Sequence, residues 1–217
     1  MQDINKFTNI IFDFDGTIAD TLSLLVDAIN HIAITYKYNI AISQEQIKKN
    51  SIKDIIKNNK VSLLKLPFLL SAIYKYMKTH SSLIEPVKGI TKVLKELKSN
   101  SYELSIISSN NTENINDFLK KYDLENTFKY LCTQVNIFTK HKAINRFLNK
   151  YNLNKEHTVY IGDEVRDILA AKESGIKVIS VSWGFNDSHI LEQNQPDFIV
   201  HTPNQIFDLL KLHQKAN

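Results

Sequence analysis

The stretch Ile10-Ile11-Phe12-Asp13-Phe14-Asp15-Gly16-Thr17-Ile18-Ala19-Asp20 decides how this chain is read. An apolar run ends in two carboxylates two residues apart, followed by a glycine. Side chains alternate along a strand, so Asp13 and Asp15 fall on one side of a strand end. Two anions held that close repel. Either one is protonated or a cation lies between them. A polar Asp-Gly turn closing a strand is the plain alternative.

Downstream of this turn the pattern becomes helical. Leu22, Leu25, Val26, Ile29, Ile32, Ala33 and Tyr36 follow helix spacing, predicting a helix over 19–38. Ser43 and Gln46 have the spacing of a capping box, opening a second helix through Ile47, Ile55 and Ile56 that Asn58 and Asn59 break. Residues 61–78 read as a third helix, with Pro67 in its first turn or at a kink. No strand is predicted between about residues 19 and 100, so 17–83 reads as a helical insert.

After Pro86 and Gly89 helices and strands alternate. Ile90, Val93, Leu94 and Leu97 form a helix face, and 104–107 a strand ending at Ser108-Ser109-Asn110. Ile115, Phe118, Leu119 and Tyr122 mark a helix, 128–133 a short strand, and 143–151 another helix. Residues 159–161 form a strand closing at Gly162-Asp163, followed by a helix that stops at Gly175. Strands are predicted at 178–181 and 198–200. Thr202-Pro203 with Gln205 caps the last helix. Such alternation gives an α/β fold with a doubly wound, mostly parallel, Rossmann-like sheet. The expected division is a core of 1–16 and 84–217 with a helical cap of 17–83.

Composition narrows the function. The chain has 217 residues, enough for a large domain or a core with an insert. Hydrophobic content of 43% and charged content of 23% are ordinary for a soluble globular protein. The net charge of +4 comes from lysines spread along the chain rather than clustered, which argues against a nucleic-acid partner. A mild positive balance suits a small anionic substrate. Cys132 is the single cysteine, which excludes an intramolecular disulfide and a thiolate metal cluster. No secretory leader and no membrane span is read, and a cytoplasmic location is expected.

In sheets of this kind ligands bind beyond the carboxyl ends of the strands. Three strands end there in polar groups: Asp13-Phe14-Asp15, Ser108-Ser109-Asn110 and Gly162-Asp163-Glu164-Val165-Arg166-Asp167. Lys140-His141-Lys142 stands just before the helix that precedes the third. Carboxylates, a hydroxyl and a lysine at one edge suit a divalent cation and a phosphate.

With Asp13-Phe14-Asp15-Gly16-Thr17, Ser108, Lys140 and Gly162-Asp163-x-x-x-Asp167 in this order, the chain resembles the haloacid dehalogenase-like hydrolases over nearly its whole length. The insert after the first motif is similar to the helical cap of the phosphoglycolate phosphatase-like branch. The resemblance implies Asp13 as a nucleophile that becomes an aspartyl-phosphate, and Asp15 as general acid and then base. It implies Ser108 on the transferring phosphoryl group and a lysine near 140 between phosphate and Asp13; Lys140 is preferred to Lys142 because it stands earlier, at the loop–helix boundary. Gly16, Thr17, Ser109 and Asn110 are expected around the phosphate. Asp13, the carbonyl of Asp15, Asp163 and Asp167 are expected around Mg²⁺.

Other residues have plainer readings. Asp163 and Asp167 also suit a helix N-terminus. Glu164 and Arg166 read as a local ion pair. His141 and His157 read as solvated, as do Lys37, Lys48, Lys53 and Lys57, and Trp183 and Phe185 as loop packing near the site.

The expected protein is a Mg²⁺-dependent phosphatase acting on a small phosphorylated metabolite such as 2-phosphoglycolate, as a monomer or homodimer. A phosphosugar mutase with the same two aspartates is the nearest rival. A dehalogenase is disfavoured by Asp15 and the Gly162–Asp167 motif. A non-catalytic phospho-acceptor is disfavoured by the length, the insert and the spacing of the two acids.

Overall fold

The computed structural model describes residues 7–38, 40–49, 57, 59, 61–62, 64–136 and 139–215, with side chains to Lys211. Six strands, β1 (Asn9–Phe12), β2 (Glu103–Ile107), β3 (Tyr130–Cys132), β4 (Thr158–Gly162), β5 (Lys177–Val181) and β6 (Phe198–Val200), form one sheet in the order β3-β2-β1-β4-β5-β6. Every neighbouring pair is parallel. The described helices are α1 (Thr21–Thr35), α2 (Gln44–Lys49), α3 (Leu66–Thr79), α4 (Ile90–Ser99), α5 (Thr112–Lys121), α6 (Lys140–Lys150), α7 (Val165–Ser174), α8 (Ser188–Gln193) and α9 (Pro203–Lys215), with short 3-10 turns at Ser81–Leu83 and Lys155–His157.

The strands are short apolar runs because both faces of the sheet are covered. Alternation divides each run between two cores. Ile10, Phe12, Leu104, Ile106, Val159 and Ile161 pack with α4, α5 and α9 on one face. Ile11, Ile107, Tyr160 and Val178 pack with α6 and α7 on the other. The two layers fix the register: Phe12 is level with Ile106 on one side and Ile161 on the other. A one-residue slip would exchange every residue between the two cores. The polar residues that follow β1, β2 and β4 therefore emerge at one level, beside the point where the strand order reverses.

Several boundaries differ from the sequence reading. Helix α1 starts at Thr21 rather than at 19, because Ala19 pairs with Asp15 and Pro86. Ile18 and Ala19 belong to the sheet-side core. The stem is closed by Asp20 N donating to Glu85 O (2.8 Å) and Val87 N to Ile18 O (2.9 Å). Helix α3 starts at Leu66, with Pro67 in its first turn and no kink required. Strand β3 covers only Tyr130–Cys132. Helix α6 takes in Lys140, His141 and Lys142, three residues before the predicted start. Thr139 makes no side-chain capping bond there, so the usual start signal is missing.

The caps read from the sequence form. Ser43 N donates to Gln46 Oε1 (2.8 Å) and Gln46 N to Ser43 Oγ (3.3 Å). The continuation of that helix through Ile55 and Ile56, and its break at Asn58, lie outside the described residues. Gly175 ends α7 with φ of 72°, and Gln205 Oε1 accepts from His201 N and Thr202 N before α9. Among the described residues no helix is long and apolar enough to cross a membrane.

Candidate active site

Asp13 directly follows β1, its N–H donating to Ile161 O of β4 (2.8 Å). Its Oδ1 accepts from Phe14 N (2.8 Å) and its Oδ2 lies 2.9 Å from Lys140 Nζ. The same ammonium reaches Asp167 Oδ1 at 2.5 Å. All three side chains are buried. Burial alone would drive the Lys140 ammonium to lose its proton, but Asp13 and Asp167 outweigh burial and hold it charged well above the usual lysine range. Lys140 Nζ also sits 5.3 Å from the centre of the Tyr160 ring. Lys142 is exposed.

Asp163, at the end of β4, is fully buried. Its Oδ1 accepts from Thr17 Oγ1 (2.8 Å) and its Oδ2 from Phe185 N (2.7 Å). Gly16 and Gly184 both abut this carboxylate, and a Cβ at either position would collide with it. Gly16 adds a φ of +76°, which side-chain-bearing residues rarely adopt. Asp167 combines the two readings made of it. Its Oδ2 accepts from Glu164 N as half of a capping box on α7, while its Oδ1 faces Lys140. Asp163 caps nothing.

Asp13, Asp163 and Asp167 each present an oxygen within 4.8 Å of the others. When all three are ionised, the carboxylates exceed the one ammonium by two negative charges in a site almost closed to solvent. Burial raises the Asp163 carboxyl well above the ordinary range, with Glu164, Asp167 and Asp13 adding to it, and burial raises Asp13 against the pull of Lys140. The donors are all hard oxygens, and the uncompensated charge matches a divalent cation of the Mg²⁺, Mn²⁺ or Ca²⁺ type. The side chain of Asp15 lies outside this cluster.

Asp15 is partly exposed and receives both contacts of the Asn110 amide, Nδ2 lying 3.1 Å from each carboxylate oxygen. Burial and the neighbouring Asp13 raise its pKa to about 6, with Asn110 pulling the other way. Asn110 Oδ1 accepts from Asn111 N (2.8 Å) and Asn114 Nδ2 (3.0 Å), which fixes the amide's orientation. Ser108 is buried with its Oγ accepting from Asn110 N (3.0 Å), whereas Ser109 is exposed.

The site thus gathers Asp13, Asp15, Gly16, Thr17, Ser108, Asn110, Lys140, Asp163 and Asp167 at one edge of the sheet. Glu164 and Arg166 form the expected ion pair, half-buried rather than fully solvated. Burial moves Glu164 to about pH 7 against the pull of Arg166. Lys48, read as a solvated residue, instead donates to Trp183 O (3.0 Å) and ties the insert to the loop that holds Asp163. His141 lies 3.2 Å from Glu173. Lys37 and Lys57 are exposed, and Lys53 lies outside the described residues.

The sequence reading did not find the Phe185 N–H, the Asn110–Asp15 bond or the Tyr160 ring under Lys140. A backbone donor carries no residue-type signature. The glycine of Trp183-Gly184-Phe185 was the only hint that the chain passes close to something there.

Comparison with known proteins agrees with this geometry. Residues 10–181 match the profile of the family described as haloacid dehalogenase-like hydrolase. A phosphoglycolate phosphatase from Synechococcus elongatus is 30% identical over 199 residues, 91% of this chain and 94% of the relative. The pyrophosphatase PpaX of Oceanobacillus iheyensis is 24% identical, covering 93% of this chain and 95% of the relative. A haloacid dehalogenase-like family hydrolase from Streptococcus pneumoniae has the same fold, with a TM-score of 0.82 at 24% identity over 94% of this chain and 98% of that one. A profile match spanning strands β1 to β5, together with a relative alike along nearly its full length, shows that this chain belongs to the haloacid dehalogenase-like hydrolase family, and within it to the phosphatases.

Proposed function

We propose that this phosphatase hydrolyses a small phosphate monoester with Mg²⁺ through a phosphorylated Asp13. The observation that carries the reading is the buried Lys140 ammonium between Asp13 and Asp167, beside an Asp15 whose pKa of about 6 lets it exchange a proton near neutrality.

In the first step an Asp13 oxygen attacks phosphorus, the bond to the leaving oxygen breaks, and Asp15 gives that oxygen its proton. In the second, the Asp15 carboxylate takes a proton from water, the hydroxyl attacks phosphorus, and the Asp13–phosphorus bond breaks to release inorganic phosphate. Proton transfer of this kind contributes about 10²–10⁴-fold. Lys140 and the Ser108 hydroxyl stabilise the phosphoryl oxygens as charge spreads over them. Asp13, Asp163, Asp167 and the Asp15 carbonyl would hold Mg²⁺, which when bound neutralises phosphoryl charge as a Lewis acid. Gly16, Thr17, Ser109 and Asn110 line the phosphate's approach.

Residues 17–83 act as a cap that excludes water and selects the leaving group, over a core of 1–16 and 84–217. Supporting this, Lys48 and Phe185 join the insert to the core beside the site. A cytoplasmic enzyme acting on a soluble phosphorylated metabolite fits the single cysteine and the modest charge.

The test is phosphate release from a panel of esters that includes 2-phosphoglycolate, pyrophosphate and sugar phosphates, with Mg²⁺ and with chelator. Metal-dependent release, abolished by Asp13→Asn in a folded protein, is expected. Release that survives Asp13→Asn would overturn the nucleophile. A strict need for a sugar bisphosphate activator would make the enzyme a mutase.

A further inference from the structure

Two cavities meet at Asp15, Ser109 and Phe185, and they differ in chemistry. One, of about 790 Å³, runs between α3 and the start of α5 and is lined by Asn110, Asn111, Asn114, Lys78 and Gln134. The other, of about 730 Å³, lies inside the insert. Its walls come from Ile29 and Ile32 of α1, Ile42, Ile47 of α2, and Leu69 and Ile73 of α3. Tyr38 carries the sole hydroxyl among its described lining residues from the insert. Its neck is polar: Asp15, Ser109, Asn186, Glu164 and Arg166 stand there, and Arg166 Nε makes no hydrogen bond.

We infer that the leaving group of the substrate is an alcohol with a bulky apolar body, seated in the insert's cavity with its phosphate at Asp13. This rests on the reading of Asp13 and Asp15 as the phosphoryl-transfer pair. The space opens to solvent, and its walls include the partly exposed Ile29 and Ile73 and the exposed Leu70, so it is an apolar cleft rather than closed core. It falls within the roughly 300–1,000 Å³ typical of ligand pockets. Glycolate would leave most of it unfilled. A sugar would bury its hydroxyls against aliphatic walls with almost nothing to bond, at a cost for each. An apolar body removes hydrocarbon from water on both sides of the contact, while the phosphate end stays at Asp13 beside the polar neck.

The polar cleft is the competing seat, and its asparagines are already engaged. Asn110 spends its amide on Asp15 and its carbonyl on Asn111 N and Asn114 Nδ2. Asn111 Oδ1 accepts from Asn114 N as the cap of α5. A sugar placed against these asparagines would have to displace these bonds. The apolar cavity offers surface with no bonds to break.

The experiment measures kcat/KM with Mg²⁺ for ethyl, butyl, hexyl and octyl phosphate, 2-phosphoglycolate and a hexose phosphate. Calorimetric binding of methyl-, hexyl- and octylphosphonate, which cannot be hydrolysed at the P–C bond, runs in parallel. Each added methylene should raise kcat/KM and phosphonate affinity by up to about fourfold until the cavity is full. Ala33→Phe, which places a ring in the cavity wall, should lower the octyl-to-ethyl ratio by about tenfold or more. If that variant does not fold, the chain-length series decides by itself.

A flat or falling series, or a hexose phosphate preferred over octyl phosphate, would overturn the inference. Phosphonate affinity that rises with chain length while no ester is hydrolysed would sink the phosphatase mechanism and leave the pocket assignment standing. Flat phosphonate binding with no turnover would remove both.

Discussion

Lys140 Nζ lies 2.9 Å from Asp13 Oδ2, and both side chains are buried. The second carboxylate on the same ammonium, Asp167, comes from the helix after β4, so one lysine joins the ends of two strands. A buried cation with two acidic partners is costly to lose. Breaking such a pair by removing one member destabilises by about 3–5 kcal/mol. Lys140→Met should therefore lower the melting temperature as well as abolish turnover. Lys142→Met, at an exposed position on the same helix, should leave both within error. Thermal unfolding and phosphate release check the pair. A Lys142 variant that loses activity while the Lys140 variant keeps it would reverse the assignment.

Asp15→Asn separates catalysis from stability. Turnover should fall about 10²–10⁴-fold. In the metal-free protein the Asp15 pKa is raised to about 6 from an ordinary 3.8. A raised carboxyl contributes stability that is complete below its unfolded pKa and lost as pH rises through the folded one. The wild-type metal-free protein should thus weaken between about pH 4 and pH 7, and Glu164, raised to about 7, adds to the same trend. The Asn variant escapes its share. It should be more stable than wild type at pH 7.5 by about 1–2 kcal/mol, less than two full pK units would give, because partial exposure screens the charge and Asn110 loses one acceptor. Denaturation at pH 4 and pH 7.5 reads the difference, and an equal gap at both pH values would contradict it.

Gly184→Ala tests the packing around Asp163 without backbone strain, since only Gly16 of the two adjoining glycines has positive φ. The new methyl meets the Asp163 carboxylate and must push it off the Phe185 N–H. Displacing a ligand in this way should weaken divalent-metal affinity by about 10–100-fold. Calorimetry with Mg²⁺ reads it, and unchanged affinity would mean that Asp163 is not a ligand.

Metal should also stabilise the fold. The acidic cluster carries two uncompensated charges when ionised, so a bound divalent cation relieves repulsion that the folded state otherwise bears. At a hundredfold excess over its dissociation constant the gain is about 2.7 kcal/mol. Melting with Mg²⁺, Ca²⁺ and chelator at pH 7.5 should show the shift. It should vanish in Asp163→Asn.

The sequence by itself determined the sheet and the strand ends. Continuous apolar runs such as Ile10–Phe12 and Val159–Ile161 identify buried parallel strands, because a strand covered on both faces has no polar side to display. Asp13 and Asp163 stand directly after β1 and β4, with Asp15 two residues and Asp167 four residues further on, so their placement at one edge followed from the rule that strand ends share an edge. The start of α6 was not legible, because nothing caps it locally; Lys140 is held there by carboxylates far away in the chain.

Only the tertiary structure decided which groups touch. It chose Lys140 over Lys142 as the partner of Asp13, since that depends on which face of α6 packs on the sheet. It recruited the Phe185 N–H to Asp163 and the Asn110 amide to Asp15, contacts made by a backbone group and by a residue 95 positions away. It also opened a cavity inside the insert whose apolar walls read, in sequence, as nothing more than helix core. Spacing along a chain encodes periodicity and therefore faces. Distances between faces arise only when the layers pack, and catalysis depends on those distances.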